Sequence, residues 1–169
     1  LTRREHVGQD YERASRFLFH KADRATVGGV SGMVDIYSGV FVPGMGEHGS
    51  QYPEKEDQDG DGRVDRKGMN VEHVWPQSFF NKRGPMVADM HHLFAAFHHT
   101  NEVRGHMPFG EVTGRGDYSN LGGAKVGQGV FEPPDFTKGR IAPALPGSAL
   151  REHDPAGVRV AFGEHFWKG

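Results

Sequence analysis

A glutamate and a histidine stand side by side at Glu72 and His73, where residues 70–78 read Asn-Val-Glu-His-Val-Trp-Pro-Gln-Ser. A carboxylate oxygen can bind a hard divalent cation, and a neighbouring neutral imidazole can accept a proton from water. The pair therefore has the chemistry that metal-assisted hydrolysis needs. On its own the dipeptide is a weak signal, because most histidines are solvated or packed in a structural role.

Three further segments of interest follow this pair. They are Asp89-Met-His-His-Leu93, then His98-His99-Thr-Asn101-Glu-Val-Arg104, then Pro108-Phe-Gly110. His98, Asn101 and Arg104 are three residues apart, so on a helix they would share one face. If that helix packs across the segment that carries Glu72 and His73, a carboxylate oxygen, an amide oxygen and an imidazole converge on one point.

In this order the sequence resembles the endonuclease I family of bacterial secreted and periplasmic nucleases, which belongs to the ββα-metal (His-Me finger) superfamily. The matching blocks are Val34-Asp-Ile-Tyr-Ser-Gly39, Glu72-His-Val-Trp-Pro-Gln-Ser78, Asp89 through Arg104 to Gly110, and Val130-Phe-Glu-Pro-Pro-Asp135 with Lys138-Gly139. The resemblance implies an α+β fold, with one nuclease domain over residues 1–169. Its ββα core would span about 69–105 within loop-rich surroundings.

The resemblance also implies an activity. We expect a metal-dependent endonuclease that hydrolyses DNA with little sequence preference and leaves 5′-phosphates, with RNA open as a further substrate. Glu72 and Asn101 match the family's metal ligands, for Mg²⁺ with Mn²⁺ or Ca²⁺ as alternatives, and His73 matches its general base. An arginine should hold the scissile phosphate. Arg104 is the candidate within the motif, and Arg83 is the alternative.

A second functional class stays open, namely a calcium-stabilised extracellular binding module built on a nuclease scaffold that has lost activity. The intact Glu72, His73 and Asn101 favour the enzyme. A zinc site is a further alternative, formed by His91, His92, His98 and His99. We favour structural roles for these histidines, because zinc sites usually add cysteine or acidic ligands at tighter spacing. Trp75, Phe79 and Phe80 are expected in the core rather than as base-stacking platforms.

A second cation site is predicted within residues 57–68. The segment Asp57-Gln-Asp59-Gly-Asp61-Gly62-Arg-Val64-Asp65 has the spacing of a calcium loop. Its twelfth position is Gly68, where an EF-hand carries a bidentate glutamate, so a distant acid would have to complete the site. We expect a structural Ca²⁺ bound by Asp57, Asp59, Asp61 and Asp65, and the alternative is a solvated acidic loop without an ion.

Composition limits the function classes. The sequence has 169 residues, 36% of them hydrophobic, which suits one domain with a buried core. It has no apolar run of about 18 residues, which argues against a membrane partner, and no cysteine for a disulfide or a thiolate zinc site. The net charge is −2, but residues 47–65 hold seven acids against two bases, so the remainder is net positive. Such a charge distribution is compatible with nucleic acid binding.

Two expectations concern the state of the protein. The resemblance implies a secreted or periplasmic location, and we expect a monomer. The sequence begins at Leu1 without a basic and apolar leader, so we expect that a signal peptide has been removed.

Periodicity and turn residues predict the elements. The expected order is a helix from Asp10 to about Ala22, a strand over Val30–Ser38, a loop from Gly39 to Pro53, strands over Met69–Val74 and Val87–Leu93, and a helix from about Phe94 to Arg104. Beyond Gly114 we expect loops and short strands, with a short helix near Gly147–His153. Pro143 and Pro146 should prevent a long helix there.

Overall fold

The computed structural model describes residues 10–144 and has α+β architecture. Its helices are α1 (Tyr11–Phe17), α2 (His98–Arg104) and α3 (Asp135–Ile141). Its strands are β1 (Arg24–Val27), β2 (Val30–Val34), β3 (Phe41–Pro43), β4 (Met69–His73), β5 (Leu93–Phe97), β6 (Tyr118–Ser119), β7 (Lys125–Gly127) and β8 (Val130–Glu132). They form the antiparallel sheets β1-β2-β3, β4-β5 and β6-β7-β8.

Helix α1 begins at the predicted cap. The Asp10 carboxylate accepts a hydrogen bond of 2.9 Å from the Arg13 amide, as expected of an N-cap aspartate. A π-helical turn over Leu18–Ala22 continues α1, so the predicted helix from Asp10 to about Ala22 is confirmed. Ala14 and Leu18 are buried, and these two positions anchor the helix to the core.

The first sheet corrects two predicted boundaries. Strand β2 ends at Val34 rather than Ser38, because the Asp35 carboxylate accepts the Tyr37 and Ser38 amides and turns the chain there. The segment predicted as a loop from Gly39 to Pro53 contains strand β3, which pairs with β2. The same Asp35 carboxylate accepts the Phe97 amide from across the fold. Asp35 therefore joins this sheet to the end of β5.

Strands β4 and β5 form the central hairpin. Their register pairs Met69 with Phe97 and His73 with Leu93. The predicted strand over Val87–Leu93 is wrong, because that segment forms 3₁₀ turns at Met86–Ala88 and Met90–His92. The Asp89 carboxylate accepts the His91 amide at 3.0 Å and so starts the second turn. The second strand of the motif lies over Leu93–Phe97 instead.

Two hydrophobic clusters pack on opposite faces of this hairpin. Leu93, Ala95 and Phe97 belong to the cluster that also contains Leu18 and Met33. The alternate β5 residues, Phe94 and Ala96, belong to the other cluster. That cluster also contains Tyr37, Phe109 and Phe131. Because side chains alternate across a strand, burial on both faces explains why all of β5 is apolar.

Helix α2 follows β5 without a loop and begins at His98, later than the predicted start near Phe94. The succession β4, β5, α2 is the predicted strand, strand and helix order, with an irregular connection between the strands. The short strands predicted beyond Gly114 are confirmed as β6, β7 and β8. Helix α3 was not predicted; it ends at Ile141, two residues before Pro143.

The helix predicted near residues 147–153 lies outside the described residues. Within residues 10–144 no helix has the length and apolar character that a membrane crossing requires.

Candidate active site

A cavity of about 400 Å³ opens beside β4 and the last turns of α2. Its wall includes Glu72, His73, Asn101 and Arg104, the residues to which the sequence assigned ligand, base and phosphate-binding roles. Glu72 and His73 come from β4, whereas Asn101 and Arg104 come from α2. Antiparallel pairing of β4 with β5 places α2 directly across β4, and this explains why residues about 30 positions apart meet.

Asn101 fastens the helix to the hairpin. Its amide nitrogen donates to Asn70 Oδ1 at 2.7 Å and to the Val71 carbonyl at 3.3 Å. Both amide hydrogens are thereby used on β4. The remaining polar atom of the side chain is Oδ1, a hard oxygen of the kind that Mg²⁺ and Ca²⁺ prefer.

Glu72 is buried, with an exposed fraction of 1%. Its Oε1 accepts a hydrogen bond of 2.8 Å from the Tyr37 hydroxyl and lies 3.5 Å from Arg104 Nη1. Burial and the negative charge of Glu72 raise the pKa of Tyr37 well above its usual range, so the phenol stays a donor. Both contacts use Oε1, and within residues 10–144 no hydrogen bond or ion pair engages Oε2.

His73 is held in one tautomer. Its Nε2 lies 3.1 Å from the Val87 carbonyl, which can only accept, so Nε2 carries the hydrogen and donates. Its Nδ1 then has the lone pair and accepts from the Gln77 amide at 3.0 Å. Burial lowers the pKa of His73 to about 4. The imidazole is therefore neutral at neutral pH, and its residue lines the same cavity as Glu72.

His92 supports this arrangement. Its ring lies 5.5 Å from that of His73 between centroids, and its Nε2 donates to the Met86 carbonyl at 2.7 Å. The turn at Met86–Ala88 therefore fixes the imidazoles of both histidines through neighbouring carbonyls. Burial also lowers the pKa of His92 below its usual value, so both rings stay uncharged side by side.

Arg104 is buried to a degree unusual for a phosphate-binding residue, with an exposed fraction of 2%. Its guanidinium donates to the carbonyls of His73, Val74 and Gly105 at 3.3, 2.7 and 3.0 Å. It also stacks on the Phe109 ring at 4.6 Å from the centroid. These contacts hold the end of β4 and compensate the charge of Glu72. The alternative arginine, Arg83, is exposed and does not line the cavity.

Several residues of the site carried no role in the sequence prediction. They are Tyr11, Tyr37, Asn70, Gln77 and Lys82. Tyr37 stood in the matched block at residues 34–39, but that block gave no indication that its hydroxyl reaches Glu72 across 35 residues. Gln77 stood four residues after His73, a spacing that indicates contact only if the chain turns there. The exposed Tyr11 ring packs 5.6 Å from the His73 ring between centroids.

The acidic loop is organised differently from the predicted calcium loop. Carboxylate oxygens of Glu54, Asp57 and Asp59 lie within 4.8 Å of one another and could hold a metal ion. Glu54, three residues before Asp57, is the acid outside the predicted loop that joins this cluster. Burial, followed by the charges of Asp61 and Glu54, raises the pKa of Asp59 to about 8.

The other two predicted ligands point toward neighbouring elements. The Asp65 carboxylate accepts the His99 amide at 3.0 and 3.1 Å, and Asp61 accepts the Tyr118 hydroxyl at 3.2 Å. Asp59 Oδ2 accepts a hydrogen bond of 3.4 Å from the Thr100 hydroxyl. The acidic loop therefore contacts the first turn of α2, the helix that carries Asn101.

The histidines predicted as an alternative zinc site do not form one within residues 10–144. There, the grouping of three or more histidine or carboxylate ligand atoms is that of Glu54, Asp57 and Asp59. His98 instead lies 3.3 Å from Glu102, one turn later on α2. Of the aromatic residues expected in the core, Phe79 is exposed, and Trp75 packs against one core cluster while its ring meets that of Phe79 at 5.3 Å.

Comparison with known proteins identifies the family of the chain. The family model described as Endonuclease I matches residues 2–145, which is most of the chain. A search of curated proteins finds no match. Because the family model covers well over half of the sequence, the chain belongs to the Endonuclease I family and is a nuclease that acts on nucleic acid.

Proposed function

We propose that this nuclease is a divalent-metal-dependent endonuclease of the His-Me finger type that hydrolyses DNA with little sequence preference and leaves 5′-phosphates. The observation that carries the proposal is that the neutral His73, whose Nδ1 is the accepting nitrogen, lines the same cavity as Glu72 and Asn101. A base next to two hard oxygen ligands is the combination that hydrolysis of a phosphodiester requires.

Glu72 Oε2 and Asn101 Oδ1 would hold the ion. Two oxygen ligands suit Mg²⁺, which keeps several of its coordination positions for water and phosphate oxygens, and Mn²⁺ or Ca²⁺ could replace it. When bound, such an ion supplies Lewis-acid polarisation of the phosphate and neutralises charge in the transition state. Arg104 would act on Glu72 rather than on substrate, because its Nη1 and Nη2 atoms already contact Glu72 and backbone carbonyls.

His73 would accept a proton from the attacking water at Nδ1. That water would replace the Gln77 amide, while the Val87 carbonyl continues to hold Nε2–H. The water oxygen forms the new bond to phosphorus, and the bond to the 3′ oxygen breaks. The leaving 3′ oxygen takes a proton from solvent, and the phosphate remains on the 5′ side.

We further propose a structural Ca²⁺ in the acidic loop, with Glu54, Asp57 and Asp59 as its carboxylate ligands. The buried Glu54 and Asp59 support this proposal, since like charges repel when no cation is near. Asp61 and Asp65 would then connect the loop to Tyr118 and α2 rather than bind the ion.

We also propose that the enzyme acts as a monomer, because a single chain supplies every side chain named in the mechanism. A secreted or periplasmic location stays a prediction from the resemblance.

Digestion of supercoiled plasmid tests the proposed activity. With Mg²⁺ we expect nicked and then linear DNA, and fragments whose 5′ ends can be ligated without prior phosphorylation. EDTA should abolish cleavage and excess Mg²⁺ should restore it. Cleavage of RNA alone would change the substrate class. Binding of duplex without any cleavage in Mg²⁺, Mn²⁺ or Ca²⁺ would support an inactive binding module instead.

A further inference from the structure

A cavity that holds a phosphodiester needs a positive charge that can reach the substrate. Besides the neutral His73, three basic side chains line this cavity, namely Lys82, Arg104 and His106. Arg104 is 2% exposed and donates to three backbone carbonyls, so its charge serves the protein interior. His106 offers an imidazole, which is a weaker source of positive charge than an ammonium.

Lys82 differs from Arg104 in both exposure and partners. It is an exposed residue on the cavity wall. Among the ion pairs within residues 10–144, none uses the Lys82 ammonium. Its neighbour Arg83 is also exposed but does not line the cavity. Lys82 is thus the ammonium group of the wall, and its charge has no ion-pair partner in the described part of the chain.

The backbone holds Lys82 in this position. After the 3₁₀ turn Gln77–Phe80, both Asn81 and Lys82 adopt the left-handed conformation, with φ of 53° and 55°. Left-handed backbone is unfavourable for residues other than glycine and is concentrated at functional sites. The Lys82 amide donates to the Gln77 carbonyl at 3.0 Å and so closes the turn. The same turn therefore presents Gln77 to His73 and returns Lys82 to the cavity.

We propose that Lys82 is the phosphate-binding cation of this cavity, in direct contact with the DNA backbone at or next to the scissile phosphate. The proposal rests on the proposed nuclease function and replaces the arginine that the sequence suggested for this contact. A flexible lysine side chain fits an enzyme without sequence preference, because an ammonium can follow a phosphate without bidentate geometry.

The test compares Lys82→Met with Arg83→Met. The second variant is a matched change of the adjacent residue, which does not line the cavity. Affinity for a short DNA duplex is measured against salt concentration in a His73→Ala background, where the duplex stays intact. Each phosphate contact contributes about 0.9 to the slope of log affinity against log salt. Lys82→Met should therefore lower the slope by about 0.9 and weaken binding about eightfold at roughly 0.1 M salt.

Lys82→Arg should recover most of the affinity, and Arg83→Met should change the slope less than Lys82→Met does. Melting temperatures should be unchanged in all three variants, because both side chains are exposed. Equal slopes for Lys82→Met and Arg83→Met, or an unchanged slope for Lys82→Met, would overturn the proposal. If the otherwise unmodified enzyme fails to cleave plasmid in the presence of metal ions, the proposed function fails instead, which is a distinguishable result.

Discussion

At the scale of single residues, the adjacent Glu72 and His73 are adapted to opposite tasks by their surroundings. Tyr37 and Arg104 both contact Glu72 Oε1, and they stabilise a charged carboxylate that is almost fully buried. His73 meets a carbonyl and an amide, and burial keeps it neutral. These surroundings support the proposed roles, in which Glu72 would bind a cation and His73 would accept a proton.

The first prediction separates the two cationic roles that the structure distinguishes. Arg104→Met should destabilise the protein by about 3–5 kcal/mol, because it leaves the buried Glu72 without its countercharge. Denaturant unfolding followed by circular dichroism measures this change, with Lys82→Met as the exposed control. A folded Arg104→Met protein of near-normal stability that loses only DNA affinity would show instead that Arg104 binds the phosphate, as the sequence suggested.

A second prediction concerns the proposed ligand Asn101. Asn101→Ala should raise the Mg²⁺ concentration for half-maximal cleavage by at least roughly 10- to 100-fold, the cost of disturbing even the support of a metal ligand. Excess Mg²⁺ should restore much of the rate. Asn101→Asp keeps an oxygen ligand while losing the donors to Asn70 and Val71, so it should need less Mg²⁺ than the alanine variant. An unchanged Mg²⁺ requirement in Asn101→Ala would contradict the ligand role.

Sequence reasoning at this scale could identify Glu72, His73 and Asn101, because their types and order match a family pattern. It could not find Tyr37 or Lys82. The contact of Tyr37 with Glu72 depends on how β2 meets β4, which no local spacing records. The position of Lys82 on the cavity depends on two left-handed residues that are not glycine, and the sequence gives no sign of them.

At the scale of elements, α2 depends on residues outside itself. Phe97 precedes its first residue and provides no side-chain cap. Instead, the Asp65 carboxylate accepts a hydrogen bond from the His99 amide. The Gly68 carbonyl accepts a hydrogen bond of 3.2 Å from the His98 amide. A negative charge at a helix N-terminus is stabilising. The acidic loop thus holds the start of the helix that presents Asn101 to the cavity.

A third prediction tests the proposed ion in this loop. Ca²⁺ at about 100 times Kd should stabilise the fold by about 2.7 kcal/mol, which raises the melting temperature by roughly 5–10 °C. Asp57→Asn should abolish most of this rise, because Asp57 is one of the three converging carboxylates. Glu56→Gln, an exposed acid next to it, is the control that should keep the rise.

Since the candidate catalytic site is intact in both variants, its own response to Ca²⁺ cancels in the comparison. Equal rises for Asp57→Asn, Glu56→Gln and the unmodified protein would show that the loop binds no ion.

The sequence predicted most of the helices and strands of the motif but displaced the second strand. The run Leu-Phe-Ala-Ala-Phe over residues 93–97 has neither strand alternation nor flanking turn residues, and its alanines favour a helix. Pairing with β4 and burial on both faces overrode that local preference. The preceding segment shows the reverse error. The pattern indicated a strand there, but the Asp89 side chain starts a 3₁₀ turn.

At the scale of the whole molecule, the β4-β5 hairpin is the wall between two hydrophobic clusters and also one side of the candidate active site. The acidic loop contacts the first turn of α2, whereas the cavity is lined by its later residues. Thr100, which contacts the loop, directly precedes Asn101 on the cavity wall, so the two regions meet at neighbouring residues of α2. A cation in the loop would thus also reduce repulsion between the acidic segment and a bound DNA backbone.

The central claim is that His73 is the general base of a metal-dependent nuclease, and His73→Ala tests it most directly. The rate of plasmid cleavage in saturating Mg²⁺ is compared with that of the unmodified enzyme, after circular dichroism has shown that the variant is folded. A lost general base should lower the rate by about 10²–10⁴-fold, while the Mg²⁺ affinity measured by calorimetry stays unchanged. Cleavage at a near-normal rate by the folded variant would contradict the claim.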